Sequence, residues 1–222
     1  MTPYYDQDGI QIWLGDCRVI LPTLSEISAI VTDPPYGVSW DGVHAKDRIH
    51  SQNFSRSGVE AKIYDDDEPF DPQPILAVGC PIALTGAQHF YDRLPAGGSL
   101  HCWNKIGEYK RLDQSDADMI WCSIPQACRI FHLVWRGLCR HVEKNEKFKH
   151  PTQKPVALMA WMIGLCGNPQ TICDPYMGSG STLVAAKRMN RRAIGIELRE
   201  DYAEAAANRL RQGVLPFSEC DR

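Results

Sequence analysis

A strand–loop–helix–strand unit near the carboxyl end constrains the fold of this 222-residue chain most strongly. The apolar pattern predicts a short buried strand over 170–173, a glycine-containing loop over 174–180 and a helix over 181–189. A second strand over 192–196 then ends at an acidic residue, Glu197. Because parallel strands joined by a helix build open sheets covered by helices, the sequence predicts an α/β fold. We expect a mostly parallel, twisted sheet with helices on both faces.

The rest of the chain continues this alternation of strands and helices. Further strands are predicted over 9–14, 81–85, 99–103, 118–122 and 129–135. Further helices are predicted over 17–24, 87–94, 155–166 and 201–211. The length suits one domain, so residues 1–222 are predicted to form a single domain.

A buried β-branched run over 29–32 ends in the sequence Asp33-Pro34-Pro35-Tyr36. Two prolines cannot continue a strand ladder, so Asp33 is expected at the carboxyl end of the sheet, where open α/β folds bind ligands. The fixed proline φ angles hold the Asp33 carboxylate, the Pro34 carbonyl and the Tyr36 ring close together. Two acceptors beside a flat ring suit a planar molecule with an exocyclic amine. A proline-rich turn whose Asp caps a local group is the alternative interpretation.

The glycine loop predicts a nucleotide site. Gly178 and Gly180 let a ligand approach the backbone, and Glu197, about twenty residues on, can accept from two ribose hydroxyls. The loop lacks the third glycine of the dinucleotide fingerprint, and Asp174 would repel a pyrophosphate but attract a sulfonium. These features favour S-adenosylmethionine over NAD. A loop with purely structural glycines is the alternative.

Composition argues against several other classes of protein. The amino terminus shows no signal peptide, and the uncharged stretch 155–173 is interrupted by Gly and Pro, so a cytoplasmic location without a membrane span is expected. The nine cysteines include no Cys-x-x-Cys pair. Reduced thiols are therefore expected, and neither disulfides nor a metal site is predicted.

Together these motifs resemble those of the amino-group DNA methyltransferases in the permuted (β) order, in which the catalytic motif precedes the cofactor loop. Asp33-Pro34-Pro35-Tyr36 resembles the catalytic motif, and 174–180 resembles the cofactor loop, with Tyr176 where Phe is usual. The segment 150–155 is similar to the family segment that lines the methionine end of the cofactor. Gly15-Asp16 is similar to the acidic strand end that borders the adenine pocket of the cofactor. The small size is similar to that of solitary phage or prophage enzymes.

The resemblance implies a Rossmann-like S-adenosylmethionine-dependent methyltransferase fold and a set of site residues. The implied catalytic residues are Asp33, Pro34, Pro35 and Tyr36. The implied cofactor-binding residues are Asp16, Asp33, Thr152, Lys154, Pro155, Asp174, Pro175, Tyr176, Gly178, Ser179, Gly180 and Glu197. A flipped-out base is expected to stack on the Tyr36 ring, whose hydroxyl is not expected to take part.

Asp33 and the permuted order favour methylation of the N6 amine of adenine in double-stranded DNA. N4-cytosine methylation, RNA or protein-glutamine methylation, and an inactive nucleic-acid-binding module remain open alternatives. Because relatives of this order are often dimers, the resemblance also allows a homodimer; whether a cognate restriction endonuclease exists is left open.

The expected DNA-binding surface lies in a basic stretch over 129–154, where seven Lys or Arg oppose two acidic residues although the whole chain carries −3. Its predicted phosphate-contacting residues are Arg136, Arg140, Lys144, Lys147 and Lys149. A solvated charged loop is the alternative. Residues 105–149 are predicted to form a small target-recognition insertion, and 37–71 a mobile loop beside the active site or a disordered insertion.

Overall fold

The computed structural model describes residues 2–38, 66–107, 115–136, 139–140 and 153–212. Within these residues the strands are β1 (Tyr5–Gln7), β2 (Ile10–Leu14), β3 (Ala29–Thr32), β4 (Ile82–Thr85), β5 (Ser99–Asn104), β6 (Ala117–Cys122), β7 (Ile130–His132), β8 (Trp135–Arg136), β9 (Cys139–Arg140), β10 (Thr171–Asp174) and β11 (Arg192–Glu197). The α-helices are α1 (Cys17–Ile20), α2 (Gln73–Leu76), α3 (Val156–Leu165), α4 (Ser181–Arg188) and α5 (Glu200–Arg211). Short 3₁₀ turns lie at Leu21–Thr23, Ala87–His89 and Tyr91–Arg93.

Nine of these strands form one sheet in the order β1-β2-β11-β10-β3-β4-β6-β5-β7. The five strands from β2 to β4 in this order are mutually parallel. Antiparallel pairing is confined to β1 with β2 and to β6 with its two neighbours. The predicted mostly parallel α/β sheet is therefore confirmed.

Each face of the sheet carries its own hydrophobic core. Ala29 and Val31 of β3 pack into the core that contains α3, α4 and α5. Ile30, between them in sequence, faces the opposite core, to which Ile20 of α1 and Ile75 of α2 belong. All four residues of β3 are buried, as expected for a central parallel strand with helices on both faces.

Two predicted elements differ from the structure. The helix predicted over 87–94 is a pair of 3₁₀ turns, because Phe90 between them has an extended φ of −148° that no helix allows. Phe90 is fully buried and contacts Phe70 edge-on at 4.9 Å, so tertiary packing overrides the local helical pattern. The strand predicted over 129–135 is interrupted: residues 130–132 form β7, and Trp135 begins β8. Strand β1 was not predicted.

Within the described part of the chain, no helix is long and apolar enough to cross a membrane. The same residues contain no cluster of His, Cys, Asp or Glu that could hold a metal ion, and the cysteines described there are free thiols.

The order of the strands brings the predicted motifs to one edge of the sheet. Asp33 follows β3, and β3 pairs directly with β10, which ends at Asp174. Glu197 ends β11, the other neighbour of β10. Two motifs that are about 140 residues apart in sequence therefore face the same crevice at the carboxyl ends of adjacent parallel strands, the usual ligand site of such sheets.

Candidate active site

The Asp33 carboxylate lies at the centre of a compact polar cluster. Its Oδ1 accepts hydrogen bonds from the Tyr36 hydroxyl at 2.6 Å and from the Thr85 hydroxyl. Its Oδ2 lies 2.5 Å from the Lys154 Nζ. The side chains of Asp33 and Lys154 are only 21% and 13% exposed, so this ion pair is largely shielded from water. The structure thus brings together Asp33, Tyr36 and Lys154, three of the residues predicted from the sequence.

The Tyr36 side chain is more constrained than the sequence indicated. Its ring stacks on the His89 ring, with centroids 5.0 Å apart and an interplanar angle of 16°. Burial and the neighbouring Asp33 carboxylate raise the pKa of Tyr36 well above its ordinary value, so the hydroxyl stays protonated and donates to Asp33. The hydroxyl, for which the sequence suggested no role, therefore has a specific partner.

A buried acid that sequence reasoning missed holds the turn after the two prolines. Asp66 is 2% exposed, and its Oδ1 accepts hydrogen bonds from the backbone N–H groups of Tyr36 and Gly37, both at 2.9 Å. Pro34 is buried and Pro35 is half-buried. The only sequence signal for Asp66 was its place in an acidic run next to Asp67 and Glu68, which looked like part of a polar loop.

The glycine loop and Glu197 form the second half of the site. Glu197 Oε2 accepts from the N–H of Gly178, and Oε1 accepts from the N–H of Arg199, both at 2.9 Å. Gly180 has a φ of +79°, and a Cβ there would lie 2.8 Å from the Ala206 side chain, so only glycine fits. Burial raises the pKa of Glu197. A carboxylate fixed beside a glycine loop in this way suits the ribose hydroxyls of a nucleoside.

The segment before α3 contacts the glycine loop through Ser179 and the start of α4 through Ser181. The Ser179 hydroxyl donates to Gln153 Oε1 at 2.9 Å, and the Ser181 hydroxyl donates to the Lys154 carbonyl at 2.7 Å. Gln153 Nε2 is buried and has no hydrogen-bond partner among the described residues. A buried donor without a partner beside the loop is what a ligand with an acceptor group would satisfy, so these residues fit the expected cofactor. Gln153 was absent from the sequence prediction.

Asp174 lies beneath the loop, where it is 3% exposed. Its Oδ1 accepts from the Thr32 hydroxyl at 2.6 Å and from the Tyr176 N–H at 3.1 Å. The carboxyl therefore ties the loop to β3, and a direct contact of Asp174 with a sulfonium stays a prediction. Pro175 is buried, and the rings of Tyr176 and Phe70 meet edge to face with their centroids 5.9 Å apart.

The remaining predicted residues are placed as follows. Asp16 caps the amino end of α1 by accepting from the Arg18 N–H at 2.8 Å, and its hydrogen bonds to Arg18 lower its pKa. Asp16 lies close to Glu197, because the neighbouring Gly15 N–H donates to the Glu197 carbonyl.

Pro155 precedes α3. Thr152, Lys144, Lys147 and Lys149 lie outside the described residues, whereas Arg136 and Arg140 lie in β8 and β9.

The buried carboxyl of Asp174 leads to a prediction about stability and pH. Burial raises its pKa to about 7, so between about pH 4 and pH 7 the folded protein keeps a proton that the unfolded chain has lost. Folding stability from this group is therefore full at low pH and is lost as the pH rises to about 7. Relative to the parent, Asp174→Asn should gain up to about 4 kcal/mol across this window in urea unfolding experiments. Asp71→Asn, at an exposed position, serves as the control; a pH-independent difference for Asp174→Asn would contradict the prediction.

Comparison with known proteins identifies relatives of this arrangement. A model of the DNA methylase family matches residues 103–208. The type II methyltransferase M2.LlaDCHI of Lactococcus lactis subsp. cremoris is 42% identical over 84 residues, which are 36% of this chain and 30% of that protein. The type II methyltransferase M2.DpnII of Streptococcus pneumoniae is 46% identical over 79 residues, which are 35% and 29% of the two chains. The chain therefore matches less than a third of the length of either relative.

Solved structures share the fold over almost the whole chain. M1.HpyAVI has a TM-score of 0.53 at 23% sequence identity, and the aligned region covers 92% of this chain and 100% of that chain. The PvuII DNA methyltransferase, described as cytosine-N4-specific, has a TM-score of 0.60 at 16% sequence identity. The aligned region covers 93% of this chain and 88% of that chain. The fold is thus the Rossmann-like one of the DNA methyltransferases. Over residues 103–208, slightly less than half of its length, the chain is similar to the DNA methylase family.

Proposed function

We propose that this protein transfers a methyl group from S-adenosylmethionine to the N6 amine of a flipped-out adenine in double-stranded DNA. The observation that carries the proposal is the position of the Asp33 carboxylate, at the end of β3 and beside the glycine loop that follows the adjacent strand β10. The family match over residues 103–208 and the type II methyltransferase relatives support a DNA substrate.

The cofactor site is formed by residues on both sides of the glycine loop. When bound, S-adenosylmethionine supplies an electrophilic methyl group on a positively charged sulfur. Glu197, already oriented by the N–H groups of Gly178 and Arg199, would accept hydrogen bonds from the ribose hydroxyls. The unpaired Gln153 Nε2 would donate to an acceptor on the ligand. Both groups are held in place before the ligand arrives, which lowers the ordering cost of binding.

Asp33 is proposed to act on the amine that receives the methyl group. An aromatic amine is a weak nucleophile because its lone pair is delocalised into the ring. A carboxylate that accepts a hydrogen bond from this amine stabilises the positive charge that develops on the nitrogen as the new bond forms. To bind the amine, Asp33 Oδ2 must exchange its contact with the Lys154 ammonium for one with the substrate.

The target base must leave the DNA stack to reach Asp33, since its amine is otherwise enclosed in the duplex. The stack of Tyr36 on His89 offers flat aromatic surface next to the Asp33 carboxylate. We place the flipped base on this surface, where stacking contributes about 1–3 kcal/mol per base.

N4-cytosine methylation is the second candidate. It is favoured by the fold shared with the PvuII enzyme, which is described as cytosine-N4-specific. The two reactions need the same acceptor geometry around an exocyclic amine. Asp33, where the cytosine enzymes more often have Ser, favours adenine. The permuted order of motifs and the basic stretch 129–154 as the DNA surface are parts of the same proposal.

A methyl-transfer assay with identification of the product nucleoside tests the proposal. The protein is incubated with labelled S-adenosylmethionine and a pool of duplexes that covers all short sequences, and the DNA is then digested to nucleosides. We expect label in N6-methyladenosine. Label only in N4-methylcytosine would replace adenine by cytosine as the substrate, and label in RNA or protein but not in DNA would overturn the proposal.

A further inference from the structure

Thr85 contacts the site but belongs to neither the Asp33–Tyr36 motif nor the glycine loop. It is the last residue of β4, is fully buried, and donates its hydroxyl to Asp33 Oδ1. The same hydroxyl lies 3.2 Å from the Tyr36 hydroxyl oxygen. Strand pairing fixes its backbone, because Thr85 lies opposite Ile120 of β6 and the preceding residue, Leu84, pairs with Thr32 of β3. A short side chain on a central strand therefore holds the carboxylate from one direction.

The residue after Thr85 shows how closely this strand end fits the site. Gly86 has a φ of +72°, and a Cβ there would lie 2.1 Å from Cε1 of Tyr36. The Tyr36 ring thus packs directly on the backbone at the end of β4, at a point where no larger residue fits. The Thr85 hydroxyl and the Gly86 backbone together determine where the Tyr36 ring and the Asp33 carboxylate lie.

The two oxygens of Asp33 have different kinds of partner. Oδ1 accepts from the Thr85 hydroxyl, which lies on a buried strand, and from the Tyr36 hydroxyl, whose ring is partly buried. Oδ2 faces Lys154, whose ammonium is carried on four rotatable methylenes and can withdraw. Resting on the proposed function, we infer that Thr85 is a positioning residue: it anchors Oδ1 so that Oδ2 is the oxygen presented to the target amine when Lys154 moves away.

Packing alone does not require a hydroxyl at this position. Val has nearly the same shape as Thr and is at least as favourable in a buried strand, so Thr85→Val should preserve the fold and remove only the donor. Thr171→Val is the matched control, because Thr171 is also buried on a central strand but its hydroxyl has no partner among the described residues.

The test compares Thr85→Val, Thr85→Ala and Thr85→Ser with the parent. The two variants without a hydroxyl should lose about 10- to 100-fold in kcat, since a small misplacement of a reacting group has effects of that size. The dissociation constant of S-adenosylmethionine and the KM for DNA should stay within about twofold of the parent values. Thr85→Ser should recover most of kcat, and Thr171→Val should match the parent. Parental kcat in Thr85→Val, or a Thr85→Ser variant as slow as Thr85→Ala, would overturn the inference.

Crystal structures of the parent and Thr85→Val give a second measurement that does not depend on activity. The inference expects the Asp33 carboxylate to rotate, or to occupy two conformers, once the donor is lost. An unmoved carboxylate would overturn the positioning role. If the parent methylates no DNA but the carboxylate still moves in Thr85→Val, the proposed function fails while the role of Thr85 in orienting Asp33 stands.

Discussion

Asp33→Asn is expected to lower methyl transfer by at least 10²–10³-fold, the usual cost of removing one preorganised group that stabilises charge at a reacting centre. The amide keeps the size of the side chain but loses its negative charge. It can therefore no longer stabilise positive charge on the target amine. Affinity for S-adenosylmethionine should change little, because the loop that is proposed to bind it is held by Glu197, Gln153 and Asp174. Single-turnover rates and calorimetric binding of the cofactor separate the two quantities.

The ion pair with Lys154 determines which control is needed. Removing Asp33 leaves a mostly shielded ammonium without its carboxylate, which can destabilise the protein by itself. The double variant Asp33→Asn/Lys154→Met removes both charges, and its melting temperature should return toward the parent value while methyl transfer stays lost. Asp71 is exposed, lies outside the site and accepts a hydrogen bond from the Gln73 N–H, so Asp71→Asn should behave as the parent in both assays. Parental methyl transfer by Asp33→Asn would refute a role of this carboxylate in catalysis.

Most of the fold was predictable because the signals that define it are local in sequence. The β-branched run before Asp33 and the strand–glycine loop–helix–strand order of 170–197 each specify an element and its end. Parallel pairing then requires that Asp33 and Glu197 meet at one edge, as the structure shows. The pair of 3₁₀ turns around Phe90 was not predictable, because the extended φ of Phe90 goes with its burial against Phe70, which is distant in sequence.

The partners of the site residues were much harder to predict than the residues themselves. Thr85 looked like an ordinary strand residue, and only the pairing of β4 with β3 places its hydroxyl on Asp33. Asp66 looked like part of a polar loop, although it binds the turn after the two prolines. Tyr36 was expected to use only its ring, yet its hydroxyl donates to Asp33. Such contacts join segments that are distant in sequence, and periodicity carries no information about them.

Glu197→Gln is expected to weaken the binding of S-adenosylmethionine by about 1–3 kcal/mol, the usual range for a hydrogen bond to a charged group together with the cost of a poorly paired partner. Glu197 uses one lone pair of each oxygen to accept from Gly178 and Arg199, so both oxygens can still accept from a ligand. An amide nitrogen in place of either oxygen would donate where a ribose hydroxyl needs an acceptor.

The pH dependence of binding adds an independent readout. Burial raises the pKa of Glu197 above its ordinary value, so on acidification the carboxyl becomes protonated at a higher pH than an exposed Glu would. Cofactor affinity should fall over that acidic range in the parent, and the part of the fall due to this group should be missing in Glu197→Gln.

Glu26→Gln is the matched control, because Glu26 is 70% exposed and pairs with Arg192, at the opposite end of β11. Calorimetry of both variants with S-adenosylmethionine across this range makes the measurement. If Glu197→Gln binds as tightly as Glu26→Gln at every pH while its fold is intact, Glu197 does not contact the ribose, and its carboxylate serves only to hold the backbone of Gly178 and Arg199 in place.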